Sequence, residues 1–178
     1  GVRAVGPDGT VQDVGCSCLI LACNGYGGNA ALVSQHIPEM ANALYFGHIG
    51  NQGEAVIWGK ALGAQLADMS GYQGHGSVAH PHGALISWAL MMEGGIQVNA
   101  AGARFSNEHD GYSEQARRVI QQPDQCAYVL IDDRILALAR GFPDFCGAEE
   151  AGALISADTA ADMEKRLGFA AGALQATL

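Results

Sequence analysis

The sequence predicts an α+β domain, on three observations. Apolar residues make up 49% of the 178 and charged residues only 15%, which is enough to build a core and too apolar for a disordered segment. Short apolar runs bounded by turn residues are interspersed with segments of helical period. The 25 glycines interrupt both so often that loops must take a large share of the chain. A chain of this length suits one ordinary domain better than two.

Each element follows in order. Residues 1–15, GVRAVGPDGTVQDVG, alternate weakly around a PDG turn signal and predict a β-ribbon with its tip at 7–9. The apolar run 18–23 predicts a strand, closed by the glycine cluster at 25–28. Asn29 is a candidate N-cap for a helix to about His36, stopped by Pro38. Val56, Ile57, Ala61, Leu62 and Leu66 recur at helical spacing and predict a helix over 54–66. Residues 69–83 are loop by composition, and 85–92 predict a short helix. GGIQVNAAGARFSNE predicts strand, turn and strand, with the turn at 99–102. A helix over 113–121, a strand over 126–132, and helices over 133–139, 147–153 and 158–166 follow. Gly168 predicts a helix stop, with a last helix after it.

Composition narrows the partners. There are 9 basic against 18 acidic residues, and no basic cluster exceeds the pair Arg117 and Arg118. Displacing the counterions of a nucleic acid needs a basic face, so no nucleic-acid partner is expected. No apolar run is long enough to span a bilayer and no signal sequence opens the chain, so no membrane span is expected. The odd set Cys16, Cys18, Cys23, Cys126 and Cys146 has no CxxC pair. Free thiols in a reducing compartment are expected, and with them a cytoplasmic location, with a periplasmic one as the alternative.

Three motifs carry candidate chemistry. GYGGNA places Gly25, Gly27 and Ala30 in G-x-G-x-x-A spacing between strand and helix. Such a turn lets backbone amides approach a pyrophosphate, yet the acidic residue that should follow about twenty positions later is missing, since 45–55 reads YFGHIGNQGEA. A dinucleotide fingerprint and a glycine turn serving another contact both remain open. His75, His80 and His82, with His109 or Asp110, could ligate a metal, but their spacing matches no zinc pattern, so none is expected. NEHDGYSEQ, 107–115, holds Tyr112 after a glycine. Either this is an ordinary helix start with Ser113 as cap, or Tyr112 is placed to transfer a proton.

Together these pieces resemble the flavoprotein family of soluble fumarate reductases, succinate dehydrogenase flavoprotein subunits and 3-ketosteroid dehydrogenases. That family has a strand ending in A-T-G-G-[FY], a G-[DE]-G turn, a Q-x-H-P-T loop and E-G-G-x-x-V-N-x-x-G-x-R-F-x-N-E. Here LACNGYGGN, Gly53-Glu54-Ala55, YQGHGS around His75 and MEGGIQVNAAGARFSNE stand in the same order. The last is the most specific. The resemblance implies the capping domain of a fumarate reductase-like flavoprotein, with a β-ribbon and strand of the FAD-binding domain at the N-terminus. It assigns 1–50 to the trailing part of the FAD-binding domain and 51–178 to the capping domain and the start of the link back. It further implies a fragment, whose partners are a small-molecule substrate and the missing FAD-binding segments of the parent chain, and which is inactive alone.

The same resemblance implies site residues. Asn24, Gly25, Gly27 and Gly28 would lie by the flavin and Glu54 would contact FAD. His75 would sit in the substrate loop, with Gly76-Ser77 replacing the family's Pro-Thr. Ser87 and Arg104 would bind substrate. Where fumarate reductases carry T-E-A-x-R, this chain has Ser87-Trp88-Ala89-Leu90-Met91, and neither Trp nor Met relays a proton. Their catalytic arginine falls on Tyr112, whereas the ketosteroid dehydrogenases resemble this chain in using a tyrosine there. The implied enzyme is an FAD-dependent dehydrogenase or reductase of a carbon-carbon bond beside a carbonyl or carboxylate. Hydride would pass to or from flavin N5, and Tyr112 with His75 would be catalytic. The alternatives are a fumarate reductase or tricarballylate dehydrogenase-like enzyme acting on a small acid, and a non-catalytic binding domain.

Overall fold

Val2 and Val5 on one side of a Pro-Asp-Gly sequence, and Val11 and Val14 on the other, bound the strands of the predicted ribbon. Strand β1 (Val2–Val5) pairs antiparallel with β2 (Val11–Val14) in the register Val2 to Val14 and Val5 to Val11. Gly6 N–H donates to Thr10 O at 2.8 Å and closes the tip. The computed structural model describes residues 1–178, in two compact units, Gly1–Gly71 and Tyr72–Leu178.

In the first unit, helix α1 (Ala30–His36) begins at the predicted cap: Asn29 Oδ1 accepts the Leu32 N–H at 3.1 Å. Helix α2 (Glu54–Ala61) starts after Gly53, whose φ of 85° suits a residue without a Cβ. It stops five residues short of the predicted end, because Gly59 lies in its last turn and Gly63 turns left-handed at φ 85°. The strand expected over 18–23 is absent. A strand exists only where a neighbour accepts its ladder of hydrogen bonds, and no segment of this chain pairs with these residues. Leu19 and Ile20 are exposed instead. Ile37 is the unit's one buried apolar residue, while Leu44, Phe46, Ile49, Trp58 and Leu62 are all exposed.

The second unit has a core. Strand β5 (Ile96–Val98) pairs antiparallel with β6 (Tyr128–Leu130), and β3 (Val78–Ala79) with β4 (Ala84–Leu85). The β3–β4 hairpin begins inside the predicted loop and runs past its end, shortening the helix expected over 85–92 to α3 (Ala89–Met92). The strand expected after the Asn99 turn is reduced to a single bridge, Val98 to Arg104, after which the chain enters a 3-10 turn at Glu108–Asp110.

Helix α4 (Tyr112–Ile120) precedes β6, and α5 (Asp133–Ala139) follows it, with Asp132 accepting the Ile135 N–H at 2.8 Å. Helix α6 (Pro143–Glu150) begins four residues before expectation, since Pro143 at its first position has a preset helical φ and needs no amide partner. Leu90, Met91, Trp88 and Ile86 pack with Ile135, Ala139, Phe145 and Ala148. Leu90 and Met91 are fully buried and each contributes about 1.5–3 kcal/mol. A smaller cluster joins Val98, Phe169 and Leu174, with Tyr128 edge-on to Phe169.

The chain ends in α7 (Ala160–Leu167), stopped by left-handed Gly168 as expected, and α8 (Ala173–Thr177). Buried Glu164 accepts the amides of Gly172, Leu174 and Gln175 at 2.8–3.1 Å and so caps α8. These bonds hold its carboxyl below the usual range. No helix is long and apolar enough to cross a membrane.

Candidate functional site

Gly111 (φ 116°, ψ 153°) adopts a conformation that side chains disfavour, and it sets Tyr112 at the first position of α4. From there the Tyr112 ring stacks on His75, with centroids 5.5 Å apart and planes 30° apart. Trp88 meets the same imidazole edge to face at 6.0 Å and 88°. The Tyr112 oxygen accepts from Gln73 Nε2 at 2.9 Å, so its own O–H is available as a donor.

The loop carrying His75 is fastened to α4. Gly76 N–H donates to Tyr112 O at 3.1 Å, and Ser113 Oγ donates to Gly74 O at 3.2 Å. The approach is close enough that a Cβ at Gly74 would stand 2.7 Å from Ala116 Cβ, and one at Gly76 would stand 2.9 Å from Gln115 Cβ. Burial lowers the His75 pKa from its ordinary value of 6.5, so the ring is neutral at pH 7. Its Nδ1 accepts the Ser77 N–H at 3.3 Å, which puts the remaining proton on Nε2.

Ser87 is half-buried, and its Oγ accepts the Ala89 N–H at 3.3 Å at the start of α3. Its neighbours reach the same loop: Ile86 N–H donates to Ser77 O at 3.1 Å, and Trp88 lies on His75. The side-chain hydrogen bonds of Arg104 go to Glu108 and not to His75, Ser87 or Tyr112. Arg104 Nε and one terminal nitrogen donate to Glu108 at 3.0 and 2.5 Å. Glu108 is buried and also accepts the Gln97 N–H at 2.8 Å. Burial pushes its carboxyl up, and the Arg104 guanidinium and the Gln97 amide outweigh that, leaving it below the usual carboxylate range.

Sequence reasoning missed Gln73, Gln97, Ser106 and Gln115. Gln97 and Gln115 are fully buried, and Gln97 Nε2 donates to Gly76 O while Gln115 Nε2 donates to Gln97 Oε1, both at 2.8 Å. Ser106 Oγ lies 2.7–2.8 Å from both ends of the Gln115 amide. The available signal was spacing: Gln115 is three residues after Tyr112 on one helix and so shares its face.

The expected flavin-side residues lie in the first unit. Gly27 lies under the Tyr45 ring, which stands where its Cβ would be. Gly28 N–H donates to Asn51 O and Gln52 Nε2 donates to Gly28 O, both at 2.9 Å. Asn24 is left-handed at φ 65°, and its Oδ1 accepts the Gly25 N–H at 2.9 Å. A Cβ at Gly25 would meet nothing within 4 Å, and the amides of Tyr26 and Gly27 have no acceptor in the chain. Glu54, half-buried at the start of α2, has no side-chain partner. Free amides on an open glycine turn and an uncommitted carboxylate are a donor and acceptor set that fits the carbonyls and hydroxyls of FAD. No three His, Cys, Asp or Glu side chains are grouped to hold a metal ion.

Comparison with known proteins accords with this chemistry. The model of the family described as FAD binding domain matches residues 8–178. The NADH:fumarate oxidoreductase of Klebsiella pneumoniae (strain 342) is 28% identical over 178 residues, covering 100% of this chain and 19% of that protein. An open conformation of a flavocytochrome c3 fumarate reductase superposes with a TM-score of 0.68 at 24% identity, covering 87% of this chain and 27% of that one. The 3-ketosteroid-delta4-(5alpha)-dehydrogenase of Rhodococcus jostii RHA1 superposes with a TM-score of 0.56 at 22% identity, covering 87% and 30%. At these identities the two structures speak for the fold, and the chain spans less than a third of each of these three proteins. The chain belongs to the FAD binding domain family, within the fumarate reductase and succinate dehydrogenase flavoprotein superfamily.

Proposed function

We propose that this chain is the capping part, with adjoining flavin-domain residues, of an FAD-dependent oxidoreductase that adds or removes hydrogen across a carbon-carbon bond beside a carbonyl or carboxylate. Residues 1–50 belong to the flavin domain and 51–178 to the cap and its return link. The observation that carries this reading is the stacked pair of Tyr112 and His75, in which Gln73 leaves the tyrosine proton free to be given.

FAD, when bound, supplies the two-electron chemistry. Tyr112 gives or takes the proton at the substrate carbon, and His75 donates from Nε2 to the activating oxygen. Ser87 and Arg104 help to hold the substrate. Asn24, Gly25, Gly27, Gly28 and Glu54 hold the flavin edge. The exposed apolar run at 18–23 and the single buried apolar residue of the first unit support the view that further flavin-domain segments cover it. Five unpaired cysteines support a reducing compartment, the cytoplasm.

The neutral His75 and the commitment of Arg104 to Glu108 favour an uncharged carbonyl substrate. A second reading, a fumarate reductase-like enzyme, is supported by the side of Arg104 that Glu108 does not engage, which is exposed and can bind a carboxylate. The test is reoxidation of the reduced flavin in the full-length protein, with a cyclic enone or with fumarate as acceptor. Faster reoxidation by the enone is the expected result. Reoxidation by fumarate alone establishes the second reading, and reoxidation by neither overturns both.

A further inference from the structure

We propose that Gln97 and Gln115 are positioning residues for His75: their buried amides fix one peptide plane, and that plane fixes the imidazole. The carbonyl of Gly76 and the N–H of Ser77 belong to the same peptide unit. Gln97 Nε2 donates to that carbonyl at 2.8 Å, and the N–H at the opposite side of the plane donates to His75 Nδ1 at 3.3 Å. Because the peptide is planar and trans, holding the direction of the C=O holds the direction of the N–H.

The orientation of each link follows from the chemistry of the one before it. A carbonyl oxygen only accepts, so the Gln97 NH2 must face Gly76 and its Oε1 must face away. That oxygen accepts from Gln115 Nε2 at 2.8 Å, and Ser106 Oγ lies 2.7–2.8 Å from both ends of the Gln115 amide. Gln97, at 1% exposure, and Gln115, at 0%, are closed off from the bulk water that could replace these partners. The chain of bonds therefore has one low-energy direction, and each bond polarises the next. Gln115 is also the residue whose Cβ and Cγ occupy the space where a side chain at Gly76 would be, so the loop rests on the residue that orients it. The consequence is a single His75 tautomer, with the proton on Nε2 and available to an oxygen acceptor.

This inference rests on the proposed function only for its catalytic consequence. The direct readout is spectroscopic: the full-length protein labelled with 15N-histidine, with His75 assigned as the signal missing from His75→Gln. At pH 7.5 its Nδ1 is expected to resonate as an unprotonated ring nitrogen and its Nε2 as a protonated one. In Gln115→Met both nitrogens are expected to move to the averaged values of two exchanging tautomers. With the acceptor that reoxidises the flavin, kcat/KM is expected to fall about tenfold, mostly through KM, since substrate is held less well. An unchanged His75 spectrum in folded Gln115→Met overturns the proposal. If Gln115→Met does not fold, Gln97→Met, which removes the bond to Gly76 O itself, decides by the same spectrum: averaging supports the proposal and a fixed tautomer overturns it. Failure of every acceptor would sink the proposed reaction and leave the spectrum free to judge this coupling.

Discussion

The two buried glutamines permit a double-mutant cycle whose sign follows from counting orphaned groups. Gln97→Met removes the bond to Gly76 O and leaves one Gln115 N–H with no acceptor. With two lost bonds and two buried groups unsatisfied, the cost is about 2–4 kcal/mol. Gln115→Met strands Gln97 Oε1 and releases Ser106, at a similar cost of about 2–4 kcal/mol. In the double variant the Gln97–Gln115 pair disappears from both sides, and only Gly76 O and Ser106 Oγ are left wanting. It is therefore expected to be less destabilised than the sum of the singles, by about 1–3 kcal/mol. Methionine is close in length to glutamine, so little cavity is added. Urea unfolding followed by Trp88 fluorescence, in a Trp58→Phe background, reads the unit that holds both residues. Strict additivity would refute the claim that the two amides act as one buried network.

Other consequences are open to simpler checks. The folded pKa of His75 lies below its ordinary 6.5, so the unfolded chain binds that proton first and stability falls as pH drops below about 6.5. That fall is expected to vanish in His75→Gln and would contradict the account if it persisted. The depressed carboxyls of Glu108 and Glu164 add a second loss of stability as pH falls through the carboxylate range, seen as a steeper acid limb in wild type than in Glu164→Gln. Gly53→Ala places a Cβ at φ 85° and 2.7 Å from Tyr26 Cβ, and is expected to cost about 2 kcal/mol or more in urea unfolding. Gly25→Ala meets open space and is expected to leave stability unchanged. Glu54→Gln in the full-length protein is expected to lower flavin retained after dialysis severalfold, and equal retention would remove Glu54 from the flavin site.

Much of this was legible in the sequence where local chemistry decides. The ribbon tip, the Asn29 cap, the stop at Gly168 and the helix over 133–139 are set by residues within a few positions of one another, and each appears where it was expected. The expected strand over 18–23 fails because a strand is a relation between segments, and apolar composition carries no information about a partner. The hairpin at 78–85 was hidden because each of its strands is two residues long. At the candidate site, the family resemblance names Tyr112 and His75, and the structure stacks their rings. The buried glutamines could not be read from the sequence, because an amide side chain looks the same there whether it faces water or a carbonyl 21 residues away.

The central claim is that Tyr112 moves a proton in a flavin-dependent reaction, and Tyr112→Phe in the full-length enzyme tests it most directly. The substitution removes one oxygen, keeps the ring that stacks on His75, and releases only the exposed Gln73. Turnover is expected to fall by roughly 100- to 10,000-fold, with flavin content and the absorbance spectrum of the bound flavin unchanged. Turnover equal to wild type, measured with the same flavin content, would contradict the account.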